Sequence, residues 1–448
     1  MHLSRARRLF HIPPPMSNRT SYQASLVNLS ISALLVLGGC AGTEAGAPPN
    51  VLLIEAQGIG YSDIGAYGSE IHTPHLDSLA SLGVRFTQFY GDLRASPVYA
   101  SASAGCGGHR LLDPEASPSS VPGDFHIHRS ERVRRKPSLP QSTVATSEAL
   151  DQLDLHVANH AQNPFLLHVA YDPLPSQQPR IDLPEAARYQ GRYSGGWQVL
   201  RRERFARMLA LGLIDERYQL PPLDSIEMAS HDPAGAAIWM EQYAALVERM
   251  DSDLGKLLAR LQTLDLDQET LVLFVATRAD REGLAQLHTP RGWSYAAGTP
   301  YRQQAGILFE GALKRALIAY WPAGIASPGR ISTHVSRTRD VEATVLALAG
   351  IPFGRHSRGC GLPGKSLERI FRGTSVAGDD TLYWASEDGG AVRLGRWKLV
   401  GLTSPAEHWM LFDLSKDPTE MKDLSSTAGE RVNHLRTSWH SWVARSSD

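Results

Sequence analysis

Cysteine is scarce in this chain, with three in 448 residues, so no disulfide framework can carry the fold. Cys106 and Cys360 either pair, which an exported location would allow, or stay as two separate, partly buried thiols. Charge of one sign is not in excess either: 45 Lys and Arg against 46 Asp and Glu leave a formal charge of −1. That balance gives no pull toward nucleic acid. Long apolar runs are also missing, since Ile31 to Leu37 is too short to cross a bilayer. No internal repeat is evident. What is present is a 42% share of hydrophobic residues, enough at this length for a large core and two domains.

The organising stretch is Asn50 to Tyr99. Asn50-Val51-Leu52-Leu53-Ile54 reads as a buried parallel strand that enters a glycine-rich turn, Gln57-Gly58-Ile59-Gly60. A helix with Leu76, Leu79 and Leu82 on one face follows, then a β-type run from Val84 to Tyr90. Further strands of the buried kind are Asn163 to Tyr171 and Glu269 to Val275, and Tyr243 to Leu261 is a core-facing helix. A second helix is expected to bury a stripe that includes Phe205, Met208 and Leu211. Near the end, Thr381 to Trp384, Ala391 to Arg393 and Trp397 to Val400 read as short antiparallel strands, closed by a helix from Glu430 to Arg445.

The leader has its own character. Basic Arg5, Arg7 and Arg8 precede the short apolar run, and Leu37-Gly38-Gly39-Cys40 resembles a bacterial lipobox. It implies cleavage before Cys40, lipidation of its thiol and a protein held on a membrane surface. The start is Met1 or Met16.

From Asn50 onward the wording resembles the formylglycine-dependent sulfatases, in their bacterial arylsulfatase branch, within the alkaline phosphatase superfamily. Members of that family carry two adjacent calcium-binding aspartates after the first strand, where this chain has Gln57 and Gly58. Their C-x-P-S-R nucleophile box falls on Ala95-Ser96-Pro97-Val98-Tyr99. The segment Gly123-Asp124-Phe125-His126 resembles the family's G-K-W-H, with Asp124 in place of a sulfate-contacting lysine and His126 kept. The S-D-N-G that completes the calcium site becomes Ala276-Thr277-Arg278-Ala279, and no Pro-His pair follows Tyr171. The second sulfate lysine aligns with Ala305 and a histidine with Phe309, while Arg302 is retained as structure.

The resemblance therefore implies an α/β fold: a largely parallel central sheet sandwiched by helices over 50–372, shortened near 127–145. It is followed by a small C-terminal α+β domain on an antiparallel sheet over 373–448, after a leader (1–40) and a linker (41–49). It also implies an emptied site. Ala95 cannot become formylglycine, and Gln57, Gly58, Thr277 and Arg278 form a poor nest for a cation that needs six to eight oxygens. No cofactor is expected, neither calcium nor formylglycine. The expectation is an inactive arylsulfatase relative that binds a sulfated or anionic glycan or small ligand, with Tyr99, His126 and Arg278 as the contacts. Two rivals stand beside it: a hydrolase rebuilt from Ser96, Glu55, Asp63 or His126, and a decayed remnant that folds poorly. The basic run Arg132 to Lys136 reads as a solvated loop rather than a polymer site.

Overall fold

In the computed structural model, residues 48–91, 126–130, 139–174, 182–222, 233–277, 292–304, 306–350, 364–374, 381–386, 389–403 and 407–447 are described. The three apolar runs lie side by side, as their composition requires. Strand β1 (Asn50–Gln57) is flanked by β5 (Phe165–Tyr171) and β6 (Thr270–Thr277), both parallel to it. Strand β4 (His126–Ser130) adds a parallel edge beyond β5. On the other side, β7 (Leu317–Tyr320) runs antiparallel to β6, followed by β2 (Val84–Phe86) and β8 (Arg330–Ser332). The resulting sheet has seven strands in the order β4-β5-β1-β6-β7-β2-β8.

Alternation along β1 divides the core. Leu52, Ile54 and Ala56 face one layer, with residues of helices α1 (Pro74–Leu82), α2 (Gln141–His160), α3 (Trp197–Ala210) and α4 (Pro233–Thr263). Val51 and Leu53 face the other, shared with α5 (Thr338–Leu348). The sheet is thus covered on both sides, which is why its central strands carry no polar face.

The C-terminal part is a four-stranded antiparallel meander, β10 (Thr381–Ala385), β11 (Gly389–Leu394), β12 (Trp397–Leu402) and β13 (His408–Asp413), backed by α6 (Gly429–Ser447). One of its faces packs on α6 through Val392, Leu399, Leu411, Leu435 and Trp439. The other contributes Leu382, Trp384, Val400 and Phe412 to a cluster with Tyr90, Phe309 and Leu313. From Pro48 onward the described residues form one compact unit.

Several local expectations are corrected. The run Val84 to Tyr90 breaks into β2 and β3 (Phe89–Tyr90), and β3 leaves the main sheet to pair with β9 (Ser336–Arg337). Leu82 ends α1 at 53% exposure instead of joining Leu76 and Leu79 in the core. On α3, Met208 is buried and Phe205 partly so, but Leu211 is exposed, and the inward face carries Arg201 and Arg204. Helix α4 starts ten residues before Tyr243, at Pro233.

Candidate functional site

The ends of β1 and β6 stand in register, with Gln57 opposite Thr277, and the Gly58 N–H donates to the Thr277 carbonyl at 2.9 Å. Gly58 has φ +76°, and a Cβ built there would lie 2.6 Å from Leu174 Cδ1. The apolar Leu174 side chain thus occupies the space that any side chain at position 58 would need. Thr277, only 6% exposed, donates its hydroxyl to Glu55 Oε1 at 3.1 Å. Glu55 Oε2 lies 3.2 Å from His168 Nε2, and both residues are 1% exposed. Strand alternation puts Glu55 on the face of Gln57, and the carboxylate is tied across to β5 and β6.

This arrangement does not fit calcium. A hard cation needs several oxygen ligands with carboxylate charge among them. Here Gln57 offers one neutral amide oxygen, position 58 is filled by leucine, and the Thr277 hydroxyl proton points at Glu55. Among the described residues no three His, Cys, Asp or Glu side chains meet closely enough, as they stand, to hold a metal ion.

His126 does not join this place. It opens β4 level with Phe165, and Phe165 N–H bonds the Asn50 side chain at the opposite end of β1. Seven residues separate Asn50 from Gln57, so His126 sits roughly 20 Å or more from the Gln57 end at about 3.3 Å per residue. The parallel register of β4 on β5 carries it to the wrong edge. Ala95, Ser96, Tyr99, Asp124, Arg278 and Ala305, like Cys40, Cys106 and Cys360, lie outside the described residues.

Asp63 is equally committed. Its Oδ2 accepts from Gly60 N–H and from the Tyr243 hydroxyl, each at 2.8 Å, and its Oδ1 accepts from Arg204 Nη1 at 2.5 Å. Arg204, with a side chain 0% exposed, also grips Glu70 through Nε and Nη2 at 2.9 and 3.0 Å. Burial pushes the Glu70 carboxyl up, but Arg204 outweighs it and holds the group below the usual range. The same burial would drive the guanidinium proton off, yet its two carboxylates raise its affinity for that proton well beyond normal. Arg302 is structural: its guanidinium lies 4.2 Å from the Phe309 ring and Nη1 donates to the Glu420 carbonyl at 3.0 Å.

A second charged knot joins the C-terminal meander to the rest. Lys398 Nζ on β12 is 2.9 Å from Glu310 and 2.8 Å from Glu420, with all three side chains fully buried or nearly so. Tyr90 donates to Glu310 at 2.6 Å and receives a hydrogen bond from Arg393. Burial pushes Glu310 up, and Lys398 with Lys314 reverses this and keeps it ionised.

Comparison with known proteins agrees with this architecture. Residues 304–441 match the family model described as N-sulphoglucosamine sulphohydrolase, C-terminal. An uncharacterized sulfatase of Schizosaccharomyces pombe is 24% identical over 87% of this chain and 92% of its own. Human arylsulfatase A is 25% identical, over 87% of this chain and 86% of its own length. The solved structure of Ps i-CgsB in complex with k-i-k-neocarrahexaose superposes with a TM-score of 0.60 at 18% identity, covering 89% of this chain and 93% of that one. That of BT4656 with its substrate D-glucosamine-2-N,6-O-disulfate gives 0.54 at 16%, covering 90% and 98%. The fold is that of a sulfatase, a class of sulfuric ester hydrolases. Sequence likeness to sulfatases also runs over most of the chain, and the family model matches its C-terminal part.

Proposed function

We propose that this protein is an exported, lipid-anchored member of the sulfatase family that binds a sulfated or otherwise anionic ligand without hydrolysing it. The observation that carries this reading is the end of β1, where Gln57 and Thr277 face each other and Leu174 covers Gly58. The one carboxylate on that strand face, Glu55, lies two residues deeper and is engaged on both oxygens. Without a cation or a nucleophile at position 95, the charge that develops on sulfate oxygens during transfer meets no preorganised partner. Binding needs less, since one arginine such as Arg278 can hold a sulfate bidentately. The structural neighbours bound to a neocarrahexaose and to a disulfated glucosamine support a sulfated sugar as the ligand class. Cys40 supplies the lipid anchor and no metal cofactor is used.

Calorimetric titration with a sulfated oligosaccharide and with its desulfated counterpart tests this. Saturable binding of the sulfated form alone, unaffected by chelator, is expected; equal or absent binding of both overturns the ligand class.

The hydrolase rival gains one observation, the buried Glu55–His168 pair on the same strand face as Gln57. Both groups are 1% exposed, which keeps a substrate from them.

A further inference from the structure

Four imidazoles gather where β4 meets α2, far from the Gln57 end. His126 and His128 stand two apart on the strand, and His156 and His160 stand one turn apart on the helix. Ring centroids are 5.1 Å apart for His128 and His156, 6.0 Å for His156 and His160, and 3.9 Å for the stacked His126 and His160.

The hydrogen bonds fix the bare nitrogen of His156 and leave that of His128 to the orientation of the Gln152 amide. His156 Nε2 lies 3.0 Å from the Asn163 carbonyl, which can only accept, so that nitrogen carries the hydrogen. Its Nδ1 therefore presents a lone pair, and it is aimed at His128 Nε2, 3.0 Å away. On the far side of that ring, His128 Nδ1 lies 3.2 Å from the Gln152 side-chain oxygen. If that oxygen accepts, His128 Nε2 is also bare, and two lone pairs face one another across 3.0 Å. Either the Gln152 amide turns over and a single proton fills the gap, or a cation does. Two nitrogens on a tetrahedral ion at about 2.0–2.1 Å stand about 3.3 Å apart, close to the separation present. Each ring moreover has its outer nitrogen tied to a carbonyl oxygen, the support that metal-bound histidines commonly have.

We propose that His128, His156 and His160 form a site for a nitrogen-preferring divalent ion such as Zn²⁺ or Ni²⁺, with Asn163 and Gln152 orienting the first two rings. No three ligands converge as the rings stand; the site requires His160, exposed at the last turn of α2, to leave its stack on His126 and turn toward the pair, and that exposure gives the ion its way in. Imidazole donors suit this class of ion, whereas calcium prefers oxygen. Burial lowers the proton affinity of both His128 and His156, which keeps them neutral and ready to ligate near pH 7. On binding, the His128 proton moves from Nε2 to Nδ1 as Gln152 presents its oxygen, so neutral rings release no net proton. The inference is independent of what the Gln57 end binds.

The test is titration of the chelator-treated full chain with Zn²⁺ against a chromophoric competitor, repeated with Co²⁺ to read ligand-field bands. One equivalent is expected to bind with a rise in melting temperature. Affinity should fall at least about tenfold in His128→Ala and in His160→Ala, and about 10–100-fold in Gln152→Leu. Because His160 is exposed, His160→Ala should keep the metal-free melting temperature and so remains informative if His128→Ala folds poorly. Absence of stoichiometric binding, or binding unchanged in His160→Ala, overturns the site.

Discussion

Replacing Arg204 with alanine would leave Asp63 with no cation and Glu70 with only the partly exposed Arg207, 3.3 Å away, although the two carboxylates are just 2% and 6% exposed. Arg204 makes three short charge-assisted bonds to them, at 2.5, 2.9 and 3.0 Å. Breaking a buried pair from one side costs about 3–5 kcal/mol. A second route gives the same size: holding one carboxylate neutral at pH 7, about three units above an ordinary value near 4, costs about 4 kcal/mol at about 1.4 per unit. The second route adds a signature. In the variant the folded chain holds a proton that the unfolded chain has lost, so its stability falls as pH rises from about 4 toward 7. The deficit against wild type should therefore shrink by about 2–3 kcal/mol at pH 5. Urea unfolding at pH 7 and pH 5 reads both numbers, and Arg204→Met with Asp63→Asn and Glu70→Gln should recover much of the loss. A deficit under about 1 kcal/mol, or one identical at both pH values, would refute the reasoning.

Three further outcomes are expected. Gly58→Asp restores a family carboxylate but meets positive φ and Leu174; it should destabilise by about 1–3 kcal/mol and gain no calcium by titration, with Leu174→Ala relieving part of the strain. Lys398→Met leaves Glu310 and Glu420 facing each other in the core, a loss of about 3–5 kcal/mol by chemical unfolding; Glu420→Gln should cost less, because burial already pushes that carboxyl up. His128 has its proton affinity lowered to about 4 by burial and by His156. Its contribution is complete above about pH 6.5 and is lost as pH falls through 4, about 1–2 kcal/mol after allowing for its partial exposure. His128→Gln should remove that part of the slope in metal-free unfolding curves.

The sheet was legible because β1, β5 and β6 are mostly apolar on both faces, and burial on both faces demands that pattern. Buried charge was not legible. Periodicity assigns arginine to the outside, yet Arg204 faces inward because Asp63 and Glu70, more than 130 residues earlier, meet it there. A clue did exist in Glu55 and His168, one titratable residue inside each of two apolar strands. Their meeting is a contact between neighbouring strands 113 residues apart in sequence. His126 was misplaced for a related reason: a motif fixes residue type, while the register of β4 on β5 fixes which end of the sheet it occupies. Leu174 covering Gly58 followed from no local pattern, since it depends on the path of the chain after β5.

Turnover of an aryl sulfate ester by purified protein lacking residues 1–40 tests the central claim most directly, with bound metal assayed on the same sample and Ala95→Cys/Tyr99→Arg alongside. The geometry at Gln57, Gly58 and Thr277 predicts no turnover above a Ser96→Ala control and no stoichiometric calcium. Turnover that disappears in Ser96→Ala would show a working rebuilt centre and contradict the account.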